Sequence, residues 1–248
     1  LNDVLAQGNN ADSNQIKNVA DPVDEQDVAT KSYIDEQIAG ILNSMSNENE
    51  TFTSGNRGML MDIDSNVYPI VKIGNQWWMA ENLKTSRYDD STSIPVISVK
   101  DDAGTWPNLT TPAMAFYEDS AQLADSLKYG AYYNGYVMDT LNVCPDGWHV
   151  PSEEEWDEME RTIGVDEADF SEAWRGMDIE AGFQLKSETG WPEGDNGTNL
   201  TGFNAKPAGM VRYGGGGTVA QAGTHTYYLS STRYGAKTWF IVLLSGDE

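Results

Sequence analysis

The chain of 248 residues has one cysteine, Cys144, and two histidines, His149 and His225. A single thiol cannot form a disulfide within the chain. Two imidazoles leave little room for a Ser/His/Asp triad, and no G-x-S-x-G element is present. Positive charge is scarce as well. Lys plus Arg number 15 against 39 Asp plus Glu, a net charge of −24. Such a field repels phosphate backbones and anionic lipid, which excludes nucleic acid and membrane surfaces as natural partners. No run of eighteen apolar residues occurs, so no helical membrane span is expected. The first residue is Leu1, without an initiator Met or signal-peptide pattern, so a processed product or a fragment is expected. Aliphatic bulk is low too, with hydrophobic residues at 39%.

What the chain does have is aromatic side chains, 10% of residues with eight Trp and twelve Tyr. This bias predicts a fold in which rings pack between loops rather than one built on long aliphatic strands. The rings are unevenly placed. The first fifty residues hold a single aromatic, Tyr33, among many Asn, Asp, Gln and Ala. There, Pro22 with Asp24, Glu25 and Asp27 suits a helix N-terminus, where Pro is tolerated and acids meet the positive end of the dipole. Ile34, Ile38, Ile41 and Met45 follow at spacings of four, three and four, an a/d seam of about two heptads. So short a helix is marginal alone. It either docks on its own domain or joins copies of itself. The polar stretch "NSMSNENETFTSGN" then reads as a connector. The expected organisation is a helical oligomerisation segment (1–45), a linker (46–58) and a globular domain (59–248).

From Met59 onward, "MLMDIDSNVYPIVKIGNQWWMAENLK" alternates in short runs broken at Ser65-Asn66 and Gly74-Asn75, which predicts an antiparallel hairpin feeding an aromatic segment. Helices are expected around 152–163 and 169–177, and strands at "THTYYLSST" and "KTWFIVLL". The predicted class is α+β: a small irregular antiparallel sheet, two helices and much loop.

"CPDGWHVPSEEEW" (144–156) gathers a thiol, an imidazole and carboxylates, yet it reads as a folding signature. Ser152 and Glu155 form an S-x-x-E capping box after Pro151, and Glu153 and Glu154 fall in the first turn. Trp148 and Trp156 would flank the helix start as core aromatics. His149 would be a hydrogen-bonded structural imidazole, since a Cys/His metal site needs further ligands. "DIDSN" (62–66) begins like a calcium loop, but the position for Gly is Val67 and the position for Glu is Ile73, so a solvated β-turn is expected. Gly214–Gly217 lacks the Lys-Ser/Thr of a phosphate cradle. "WPEGDNGTN" (191–199) carries oxygen-bearing Glu193, Asp195, Asn196 and Asn199, a set able to take calcium, or to join a calcium-independent contact surface. That surface would include Trp191 and, beyond it, Arg212, Tyr213, Tyr227, Tyr228, Arg233 and Tyr234, residue types enriched at binding hot spots and in loop paratopes. About half of these tyrosines are expected in the core.

Two stretches resemble known families. "IKNVADPVDEQDVATKSYID" (16–35) is similar to a short segment recurring in bacteriophage tail-fibre and collar proteins. That likeness implies a trimeric junction ahead of a receptor-binding tip, with Ile34, Ile38, Ile41 and Met45 as a three-helix contact. From residue 61, "DIDSNVYPIVKIGNQWWMAENLKTSRY", "YGAYYNGY", "CPDGWHVPSEEEW", "GFNAKPAG" and "YYLSSTRYGAKTWF" occur in the order that resembles the Fibrobacter succinogenes major paralogous domain. This resemblance implies a C-type-lectin-like fold displaying variable loops, in secreted or surface proteins. It also implies a closing strand with a second cysteine after the "WF" strand, where this chain has "LLSGDE". Cys144 would then lack its disulfide partner, or else be a buried free thiol.

Together these readings predict a non-enzymatic recognition protein outside the cell or on a phage-like particle. A homotrimeric fibre tip, joined to an upstream fibre component, would bind a cell-surface glycan or protein without a required cofactor. A secreted, monomeric polysaccharide-binding or structural module is the second reading. The third is a carbohydrate-active enzyme relying on Glu193 or Asp195.

Overall fold

A computed structural model describes residues 56–98, 106–117, 128–138, 142–171, 175–177, 179–211, 219–234 and 237–244. The chain divides after Gly55, and the seam Ile34, Ile38, Ile41 and Met45 lies outside the described residues. The alternating stretch after the division forms a three-stranded antiparallel sheet of β1 (Arg57–Met61), β2 (Val67–Ile73) and β3 (Gln76–Met79), in that order. β1 begins two residues before Met59, inside the stretch read as linker. Successive side chains on a strand face opposite ways. Central β2 is therefore covered on both sides, by burial of Tyr68 on one face and of Val71 and Ile73 on the other. The tight turn before β3 uses Gly74 at φ 60°. A Cβ there would come within 2.6 Å of the Thr162 hydroxyl, so the turn can lie directly on the helix described next.

The turn between β1 and β2 corrects an expectation. Asp62 is not solvated; it is 6% exposed. Its carboxylate accepts from the amides of Asp64 and Asn66, each at 2.9 Å, from the Asn66 side chain at 2.9 Å and from the Tyr68 hydroxyl at 2.6 Å. Asp64 next to it holds the following loop, accepting from the Ser86 amide at 2.6 Å, the Ser86 hydroxyl at 2.8 Å and Arg87 Nε at 2.5 Å. A buried carboxylate survives when its lone pairs are filled this way.

The expected capping box is present. Helix α1 (Glu153–Thr162) starts at Ser152, which accepts from the Glu155 amide while the Glu155 side chain accepts from the Ser152 amide at 2.7 Å. The helix buries Trp156 and Met159. The second helix is not at 169–177. A 3-10 turn runs Glu167–Ser171, Gly176 takes a positive φ of 73° that an α-helix interior does not hold, and the second helix is α2 (Ala181–Leu185). The Gly176 backbone also lies against Ala181 and Val165, 2.8 and 2.9 Å from where a Cβ would stand. Arg175 ties this region to α1 through Asp157 and Glu160.

Three two-stranded antiparallel pairs complete the architecture: β4 (Met114–Phe116) with β5 (Ala131–Tyr133), β6 (Met210–Val211) with β7 (Val219–Ala220), and β8 (His225–Tyr234) with β9 (Lys237–Leu244). The last pair occupies the two strand-like runs foreseen in the sequence, with a register shift between Leu229 and Arg233. Among the described residues, small antiparallel sheets with the helices α1 and α2 make the class α+β, as expected. One apolar cluster gathers Tyr88, Ile94, Met114, Val137, Val143 and Cys144. A second is aromatic. Trp78, Trp156, Phe203 and Tyr228 meet with ring centroids 4.7 to 5.9 Å apart, in tilted and edge-to-face geometries that suit the ring quadrupoles.

Candidate functional site

Above the second cluster opens a cavity of about 930 Å³, within the range of small-molecule and cofactor sites. One lining residue in three is aromatic, against one in ten for the chain, so the rings concentrate here. Local geometry explains how they reach it. On β3, adjacent Trp77 and Trp78 must face opposite ways; Trp78 is buried and Trp77 stays 41% exposed at the cavity. On β5, Tyr132 donates its hydroxyl to the Ala208 carbonyl and Tyr133 donates to the Thr85 carbonyl at 2.7 Å. Both phenols also line the cavity, and burial pushes both upward in pKa. The 3-10 turn Gly135–Met138 then buries Val137 and leaves Tyr136 40% exposed. Trp148 follows a tight turn closed by its own amide on the Pro145 carbonyl at 2.9 Å, with Gly147 at φ 79°.

The polar groups among these rings are engaged within the protein. Gln76 donates to the Glu155 carbonyl at 3.1 Å and accepts from the Trp78 indole at 3.2 Å. Asn82 donates to the Tyr129 carbonyl at 2.8 Å. Asn134 accepts from the Ala113 amide and donates to the Thr111 carbonyl. Glu81 is paired with Lys84 at 2.9 Å. Glu155 meets His149 Nε2 at 2.6 Å and accepts from the Ser152 amide and hydroxyl. Burial raises its pKa, but the Ser152 amide, His149 and the Ser152 hydroxyl outweigh that and hold it below the ordinary glutamate value. Among the described residues the lining contains no lysine and no arginine. In the core behind it, the Trp156 indole N–H has no hydrogen-bond partner among the described residues. Its neighbours are ring faces, weak acceptors at best.

The one thiol is not poised as a nucleophile. Cys144 lines the cavity, but it sits in the apolar cluster and burial pushes its thiol up to about 11. A reactive cysteine needs the opposite shift, toward thiolate. His149 is hydrogen-bonded as expected, to Glu155, with 67% of its side chain in solvent. Among the described residues no group of three His, Cys, Asp or Glu stands close enough to hold a metal ion.

The residues proposed from sequence as a contact surface are scattered differently. Trp191 is buried, its indole N–H donating to Ser187 Oγ at 3.2 Å and to the Ala205 carbonyl at 3.1 Å. Asn196 accepts from the Trp191 amide at 3.1 Å, and Asn199 accepts from the Asn204 amide at 2.8 Å. Both side-chain oxygens thus shape their own loop. Glu193 is exposed and Asp195 half-buried. Tyr227, on β8, lines the cavity, and its hydroxyl donates to Gln221 at 2.5 Å. Tyr228 lines it too. Arg233 is exposed near the end of β8, and Tyr234 ends that strand. Arg212 and Tyr213 lie outside the described residues. Sequence reasoning missed Trp77, Tyr132, Tyr136 and Trp148 as site residues. A signal existed: in "QWWM" and "AYY", paired aromatics on a strand cannot both face one core.

A family model, that of the Fibrobacter succinogenes major domain, matches residues 71–245, from within β2 to just past β9. No curated protein and no solved structure matches the chain.

Proposed function

The chain belongs to the Fibrobacter succinogenes major domain family, and from that premise we propose that it is a non-enzymatic recognition module whose aromatic cavity seats a ligand of a bacterial cell surface. The observation that carries this reading is the open cavity itself, where Trp77 and Tyr136 keep two fifths of their surface in solvent. Large aromatics are normally buried, and those left exposed around a concave site are the usual anchors of binding. The engaged polar groups and the raised thiol support binding over turnover. A C-type-lectin-like arrangement of the loops, and display from a trimeric fibre through residues 1–45, extend the reading. Three copies on one fibre would raise avidity even for weak single contacts, at an extracellular or particle-surface location.

Retention of the full chain on bacterial envelope fractions tests the reading, beside a Trp77→Ala/Tyr136→Ala double variant. Binding by the parent and loss in the variant is the expected outcome. Equal retention of both would sink the cavity as the recognition site. Light scattering of the full chain tests the display: a trimer is expected, and a monomer would favour a secreted single module.

A further inference from the structure

Resting on the recognition reading, we propose that the ligand is an uncharged glycan, held by its ring faces. The charges of the cavity carry the argument. Among the described residues no lysine or arginine lines it, so there a carboxylate, phosphate or sulfate would lose its hydration and gain no counter-charge. The whole chain, at −24, repels such groups further. A cationic ligand fares little better. The two lining carboxylates already have partners, Glu81 in Lys84 and Glu155 in His149 and the Ser152 amide and hydroxyl. Neither sign of charge finds a free complement.

What remains is exposed ring surface in the lining, foremost Trp77 and Tyr136, two fifths of each in solvent, among further aromatic lining residues. An uncharged pyranose matches this surface. One face of such a sugar ring is a row of C–H bonds, apolar and slightly positive, which packs against the negative face of an aromatic ring. Its hydroxyls, pointing outward from the ring edge, can stay hydrated in an open cleft. This matters because Gln76, Asn82 and Asn134 have their amides engaged in the wall.

The test is titration of the full chain, followed by calorimetry, with three matched probes: neutral hexose and pentose oligosaccharides, uronic-acid oligosaccharides and glucosamine oligosaccharides. Binding is expected with a neutral member, at least about tenfold tighter than with either charged set and little changed by salt. Trp77→Ala and Tyr136→Ala should each weaken it about tenfold, while Glu193→Gln and Asp195→Asn leave it unchanged. Tighter binding of the uronate or glucosamine set overturns the uncharged class. Failure of every neutral oligosaccharide also overturns it; the recognition reading survives that result if envelope retention still depends on Trp77 and Tyr136. Retention abolished by protease treatment of the envelope would reassign the cavity to a protein ligand.

Discussion

The loop from Ser187 to Asn204 and the cavity wall of residues 129–138 and 142–148 both carry polar and aromatic residues, and they are opposite in what they expose. In the loop, polar atoms turn inward on the loop itself. Gly197 donates its amide to the Ser187 carbonyl at 2.9 Å, Asn199 to Lys186 at 3.0 Å, and the one tryptophan is buried beneath. In the wall, the polar groups of Tyr132, Tyr133 and Asn134 are also engaged, but Tyr136 keeps 40% of its surface in solvent. Satisfying the backbone therefore does not decide which irregular segment can bind. What decides is whether apolar area is left facing an opening after the polar groups have found partners.

Substitutions can break that contrast, beginning with the aromatic core that underlies the wall. Trp156→Ala should destabilise the domain by about 3–5 kcal/mol, read as a lowered denaturant midpoint, because its ring touches three others and leaves a large void. Asp64→Asn comes next, at about 1–3 kcal/mol at neutral pH, reduced by the partial exposure of Arg87. Burial raises the pKa of Asp64, but the Ser86 amide and hydroxyl and Arg87 pull it below 3.8. The folded value is depressed, so this stabilisation is complete above the unfolded pKa and fades as pH falls through the folded one. Parent and variant midpoints should converge in acid; a constant gap would refute the assignment.

Smaller changes sharpen the contrast. Asn196→Ala removes the acceptor of the Trp191 amide and should cost about 1 kcal/mol, with ligand retention unaffected. At the small end, Trp77→Ala and Tyr136→Ala should move stability by less than about 1 kcal/mol while weakening retention about tenfold each, since two fifths of both residues face solvent. A matching loss of stability would make them packing residues.

These contrasts also show which parts of the molecule local sequence can announce. The capping box at Ser152 and Glu155 is a four-residue signal, and so is the turn at Gly74; each was readable because its partners are neighbours in the chain. The paired runs of β8 and β9 were readable for the same reason. The second helix, expected at 169–177, was misplaced because the stretch includes Gly176, whose backbone answers to contacts with Val165 and Ala181. The cavity is non-local throughout. Trp77 on β3 and Tyr227 on β8 are 150 positions apart, and neither residue's neighbours say that the two will share a wall. Asn196 and Asn199 misled for a related reason, since an Asn that closes a turn and an Asn that takes a ligand look alike in sequence.

The register shift in β8 has one more consequence. Between Leu229 and Arg233 the extra backbone lets Ser231 donate to the Pro151 carbonyl at 2.9 Å and Thr232 accept from the Glu153 amide at 2.9 Å. The start of α1 is thereby fastened to one position along the β8–β9 ladder. A ladder slipped by a single residue would turn its side chains to the wrong faces and also miss both fastenings. The irregularity thus couples the register of the β8–β9 hairpin to completion of the helix cap, so that one alignment satisfies both.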